Sequence, residues 1–260
     1  MVEKKGFTLI ELLVVIAIIA LLLSILMPAL SKVKESAKRV YCVSNTKQLM
    51  IGWFLYAEDN GGKIVHSFNT DEYRNGYFGW KPWVSSAAPV KTQLADLEKS
   101  ALYPYLGENS GVFRCPTQKK NVRSSYSISH AMNGFPAWSP GSDWCPGAPY
   151  IIKTSDIKSP SGRIVFVDEY DLGGNSWGLW YARAAWMDRP PMQHSGGTTF
   201  SFADGHGEYW KWKDEFTKEI GEMSMEEFLA AHPGWIASPP ADQLGDLQRI
   251  QRAGWGKIGY

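Results

Sequence analysis

The chain has 260 residues and is nearly neutral, with 27 Lys+Arg against 26 Asp+Glu, the small excess carried by Glu3, Lys4 and Lys5 at the start. A balanced chain without a basic run argues against nucleic acid as a partner, because that binding rests on neutralising phosphates. An N-terminal stalk of about 55 residues would still leave roughly 200, enough for one domain with a sizeable core. The 12 Trp and 12 Tyr are unusual. They are better explained as filling a β-rich core than as a sugar-stacking surface.

The chain opens with Lys4-Lys5-Gly6-Phe7-Thr8-Leu9-Ile10-Glu11 and continues apolar to Met27. Phe7 to Met27 is 21 residues with one charge, long enough to cross a bilayer as a helix. A cleaved secretory signal has a shorter apolar core followed by small residues, whereas Met27-Pro28-Ala29 puts a bulky side chain there. A plain signal anchor explains neither Gly6 nor Glu11. A carboxylate inside a membrane segment costs about 2.5–3.5 kcal/mol and calls for a partner. Lysines flank the span on both sides, so charge does not set its orientation.

This stretch resembles the processing site of type IV prepilins and type II secretion pseudopilins. The resemblance implies that prepilin peptidase cuts after Gly6 on the cytoplasmic face and that Phe7 becomes the N-methylated terminus. It also implies that Glu11 meets the α-ammonium of a neighbouring pilin-like subunit during assembly, which supplies the counter-charge a buried carboxylate needs. The expected location is the bacterial inner membrane, single-pass, with the head in the periplasm or a surface filament.

Pro28 is expected to end or kink the membrane helix. Beyond it Leu30, Val33, Ala37, Val40 and Tyr41 recur at helical spacing, and Ile51, Phe54 and Leu55 resume the pattern until Asp59-Asn60-Gly61-Gly62 stops it. In the head, Lys63–His66 and Val112–Pro116 read as short strands, Leu94–Leu106 as a helix ending at Gly107, and Arg163–Asp168 as a buried strand. Residues 134–149 read as a long loop. Met225–Ala231 and Gln243–Arg252 look helical. The division this suggests is leader 1–6, membrane and stalk helix 7–60, α+β head 61–213, and an extension 214–260 of unassigned purpose.

Asp204-Gly205 lies between alternating runs and signals a hairpin. A two-residue turn there would pair Phe200 with Tyr209 and Thr199 with Trp210. His194, nine residues and then Asp204-Gly205 also resembles the prepilin-type processing-associated H-X9-DG domain. Looser fragments follow that family's order: Cys42 to Leu49 with Tyr56, Cys115-Pro116, Ser125-Tyr126, and the strand ending at Asp168. The fold implied is α+β and pilin-like, a long N-terminal helix packed on a small antiparallel sheet.

His194, Asp204, His206 and Asp168 could be drawn as a metal or hydrolytic cluster. The preferred reading is structural: Asp204-Gly205 turns the chain, His194 bonds loop backbone, and His206 is exposed. No metal or other cofactor is expected, a structural Ca²⁺ ranks second, and catalysis last, because no nucleophile constellation or phosphate loop is present. The chain is therefore read as a structural subunit and not an enzyme. The alternative is a membrane-anchored exported binding module whose aromatics at 73–83, 177–186 and 209–212 contact polysaccharide or a secreted substrate. For an exported head, Cys42, Cys115 and Cys145 suggest one disulfide and one free thiol. Sequence leaves all three pairings open.

Overall fold

The computed structural model describes residues 8–67, 97–118, 124–133, 145, 147–169 and 176–260. Gly6, Phe7, the aromatic loop around residues 75–83 and the proline-rich stretch 134–144 lie outside them. The chain forms two compact units, Met1–Lys38 and Arg39–Tyr260.

Helix α1 runs Leu9–Asp59 with Pro28 inside it. The helix does not end at Pro28. A proline removes one bond of the ladder and strains the turn before it, but the bonds on either side carry the helix through. In the first unit the apolar side chains from Leu9 to Met27 are exposed, and this part of α1 is long and apolar enough to cross a membrane.

In the second unit the buried face of α1 is Cys42, Asn45, Thr46, Leu49, Met50, Trp53, Tyr56 and Ala57. That is not the apolar stripe expected from the sequence, because Val40, Tyr41, Ile51 and Leu55 face outward. Two polar residues are accommodated on the inner face. Asn45 does so by donating to the Arg114 carbonyl at 2.9 Å and to the Tyr126 hydroxyl at 3.2 Å, which removes the cost of burying its amide.

That face packs on an antiparallel sheet in the order β1-β2-β3-β4, formed by Tyr126–Ile128, Ile164–Asp168, Gly197–Phe202 and Gly207–Lys211. Helix plus sheet is an α+β, pilin-like layout. Tyr126, Ile128, Val165 and Phe166 join α1 in one core. Ile164, Val167, Phe200, Phe202 and Trp210 join a second core. Both faces of the central strands are thus covered, so β2 and β3 are buried throughout instead of alternating.

The second core is where most of the fully buried tryptophans sit: Trp177, Trp186, Trp212 and Trp255. It is closed by three helices, α2 Glu215–Glu222, α3 Met225–Ala231 and α4 Gly245–Trp255. Helix α3 starts with a capping box in which Ser224 and Glu227 serve each other's backbone N–H. Residues 214–260 therefore supply Ile220, Phe228, Leu247, Ile250 and Trp255 to the core under the sheet.

Three local expectations are corrected. Val112–Phe113 belongs to a 3₁₀ turn, Ser110–Phe113, capped by the Asn109 side chain on the Gly111 N–H. Lys63–His66 is not a continuous strand: it holds isolated bridges at Lys63, to Lys153, and at His66. The hairpin holds a different register, with Phe200 opposite Glu208 and Thr199 opposite Tyr209. Its loop has three residues, not two: Phe202 N–H donates to the His206 carbonyl, and Gly205 N–H back to Phe202. Gly205 takes the left-handed conformation at φ 93°, which a type I turn followed by a bulge requires and a side chain resists.

Candidate functional site

The cluster drawn around the hairpin separates into two parts. Asp204 and His206 pair with each other at the half-exposed tip, where His206 stacks on Phe202 at 4.3 Å. His194 and Asp168 are buried together, His194 Nε2 lying 2.9 Å from Asp168 Oδ2. The His194 ring thus meets a side chain, not loop backbone. Its main chain is held at both ends, the N–H donating to the Gly197 carbonyl at 3.0 Å and the carbonyl accepting from Tyr209 Oη at 2.6 Å. Ser195 and Gly196, both at positive φ, swing the chain from His194 into β3.

Two cysteines join this pair from other parts of the fold. Cys42 comes from the inner face of α1. Cys115 follows the 3₁₀ turn and is fixed by its N–H bond to Ser125 Oγ at 2.9 Å. The two sulfurs lie 2.6 Å apart, and Cys115 Sγ is 3.5 Å from His194 Nε2 and 2.8 Å from Thr117 Oγ1. Asp168 ends β2; Thr199 Oγ1 donates to its Oδ2 at 3.4 Å, and Thr198 Oγ1 to its carbonyl. One atom from each of Cys42, Cys115, Asp168 and His194 fits within 4.8 Å of all the others.

The electrostatics follow from burial and contact. Burial pushes the Asp168 carboxyl up to about 7, with His194 pulling the other way. Burial works against a charged His194 ring, but Asp168 and the Cys115 sulfur outweigh it and push it up to about 9. The contact with Cys42 draws the Cys115 thiol down to about 4 against its burial, helped by His194 and Thr117. Cys42 moves the opposite way, raised first by that same contact and then by burial.

Two thiols, an imidazole and a carboxylate are donors for a soft metal such as zinc and not for Ca²⁺, which takes oxygens. The arrangement fits zinc poorly. Tetrahedral bonds of about 2.3 Å would hold two sulfurs about 3.8 Å apart, against the 2.6 Å found. A ligating histidine also normally donates its other ring N–H to an acceptor, and the buried His194 Nδ1 has no partner.

The N-terminal unit carries a different kind of site. Thr8 N–H and Thr8 Oγ1 both donate to Glu11 Oε2, at 2.9 and 2.7 Å, and Glu11 N–H donates to Thr8 Oγ1 at 3.3 Å. This is a capping box that starts α1. Residues 1–27 match the family model described as the prokaryotic N-terminal methylation motif. The chain carries a type IV pilin-like prepilin signal. That signal, with the apolar stretch of α1, indicates a membrane-anchored, prepilin-type N-terminus. No curated protein and no solved structure matches the chain.

The sequence reading found Glu11 but not its bond to Thr8. It found the cysteines, Asp168 and His194 without bringing the four together.

The head also has a cleft of about 490 Å³ lined by Lys158, Arg163, Arg252, Lys257, Asp156 and Trp255, among others. It is basic, and Trp255 within it is 1% exposed, so no aromatic face is open for a sugar ring.

Proposed function

We propose that this chain is a structural subunit of a type II secretion pseudopilus or type IV pilus-like filament. It is made as a prepilin, cut after Gly6, N-methylated on Phe7 and held in the bacterial inner membrane until assembly through α1, with its head in the periplasm or on a surface filament. The observation that carries this reading is the methylation motif over residues 1–27. Glu11 is its assembly charge.

The surface of α1 supports it. Val40, Tyr41, Ile51 and Leu55 leave an apolar stripe exposed beyond the membrane-length stretch, as a helix packing against sister helices requires. The alternative of an aromatic binding face loses its basis at 177–186 and 209–212. There Trp177, Trp180, Tyr181, Trp186, Trp210 and Trp212 are all buried.

The test is mass spectrometry of the chain purified from its native membranes. A mature terminus at N-methyl-Phe7 is expected. An intact Met1, or a cut near Ala29, would overturn the proposal.

A further inference from the structure

We infer that Cys42 and Cys115 form a disulfide that staples helix α1 to the head, with Cys145 left as the free thiol. The two sulfurs are already at 2.6 Å and both buried, about 0.5 Å from bonding distance. Cys145 stands apart in the second core with its Sγ on the Leu179 carbonyl at 3.5 Å. Of the three pairings the sequence leaves open, the fold thus brings together one.

The neighbouring pair explains why a disulfide suits the site better than two thiolates on a metal. Asp168 and His194 pair with each other through Oδ2 and Nε2 at 2.9 Å, so each offsets the other's charge. Around them the contacts are hydroxyls, from Thr117, Thr198 and Thr199. Two thiolates and a carboxylate around a divalent ion would leave a net negative charge in this core, which is costly to bury. A disulfide removes both ionisable sulfurs and leaves a mutually neutralised pair.

The chemistry balances with a disulfide-class oxidant of the extracytoplasmic compartment, and to that extent it rests on the exported head proposed above. The Cys115 thiolate, within reach of His194 Nε2 at 3.5 Å and Thr117 Oγ1 at 2.8 Å on the head itself, attacks the oxidant's disulfide and releases one thiol. The Cys42 thiolate then attacks the Cys115 sulfur of the mixed disulfide and expels the second thiol. The oxidant leaves as two thiols with the two electrons and two protons of the pair. Because the sulfurs are buried in the finished fold, the exchange precedes final packing of α1.

The staple spans 73 positions of chain. It joins the helix that bears the prepilin signal to the loop entering β1, so a pull on α1 passes to the sheet through a covalent bond as well as through packing.

The test is thiol mapping of the full chain extracted from native membranes. Accessible thiols are blocked in denaturant with one maleimide, and a second label is added after reduction. Metal content is measured on an undenatured portion. Cys42 and Cys115 should take only the second label and appear as one linked peptide before reduction, with Cys145 taking the first. First-label uptake by Cys42 and Cys115 would overturn the inference, as a zinc site if one equivalent of zinc is present and as a free dithiol if none is. A linkage involving Cys145 would overturn it too.

Reductant should lower the melting temperature of the wild-type chain by about 10 °C and leave Cys42→Ser/Cys115→Ser unmoved. No shift in the wild type would overturn the inference even if the variant fails to fold. The N-terminus read from the same sample separates the two proposals. Methyl-Phe7 with free thiols overturns the staple alone, and intact Met1 with the linked peptide overturns assembly alone.

Discussion

Glu11 has two physical roles that pull apart under substitution. Within its own helix it accepts two bonds from Thr8, and losing such a cap costs about 1 kcal/mol. In the filament proposed above it is also the carboxylate that an incoming α-ammonium meets. Removing one partner of a buried ion pair strands the other charge and costs about 3–5 kcal/mol, which is roughly 150- to 5,000-fold in the equilibrium for incorporation. Glu11→Gln keeps an oxygen for the Thr8 N–H and loses only the charge. Thr8→Ala removes the reciprocal hydroxyl and keeps the charge. Filament or pseudopilus incorporation, scored by shearing and immunoblot in cells where cleavage at Gly6 is normal, should therefore collapse in Glu11→Gln and Glu11→Ala alike. Thr8→Ala should assemble within about fivefold of wild type, the equivalent of about 1 kcal/mol. If Glu11→Gln assembles normally while Thr8→Ala fails, Glu11 is a helix cap and the assembly argument is wrong.

Two further predictions concern the head. Trp255 is 1% exposed, lies edge-on to Tyr150 at 5.1 Å and donates Nε1 to the Leu179 carbonyl at 3.2 Å. Trp255→Ala should cost about 3–5 kcal/mol, a fall of about 6–20 °C in thermal melts of the detergent-solubilised chain. Arg249→Ala, which removes only a guanidinium 3.6 Å over the Trp210 ring, should cost about 0.5–1 kcal/mol; equal shifts would show that residues 214–260 are not part of the core. Burial pushes the Asp188 carboxyl up to about 7 against the pull of the Gly178 N–H. The folded chain then keeps a proton that the unfolded chain releases near 3.8, so this contribution to stability is full below that value and is lost as pH rises to about 7. Asp188→Asn keeps the acceptor for Gly178 and removes the titration. Its stability from urea melts should exceed wild type by more at pH 8 than at pH 5, the gap widening by about 2.7 kcal/mol, two pH units at about 1.36 kcal/mol each, and a constant gap would refute the assignment.

What was legible in the sequence was what local spacing encodes. Gly6, Phe7 and Glu11 act within six residues of one another, the apolar run reports its own length, and β2 and the tip of the hairpin announce themselves by composition and Asp204-Gly205. The buried site follows a different rule. Cys42, Cys115, Asp168 and His194 meet through contacts 26, 73 and 79 residues apart in the chain, and proximity in sequence draws His194 toward Asp204 and His206 instead. Sheet pairing decides otherwise: β3 lies beside β2, so the residue entering β3 meets the residue leaving β2, while the three-residue loop carries Asp204 to the opposite end.

The same limit explains the inverted face of α1. Hydropathy alone points Val40, Ile51 and Leu55 inward. The fold turns Cys42, Asn45 and Thr46 inward because Arg114 and Tyr126 offer Asn45 its bonds and Cys115 waits opposite Cys42. A helix that buries one largely apolar face on its own head and leaves a second apolar stripe, Val40, Tyr41, Ile51 and Leu55, outside is poorly designed for a lone molecule in water. It suits a subunit whose stripe is meant to be covered by other copies. The face that misled the sequence reading is therefore itself an argument for assembly, independent of the motif at residues 1–27.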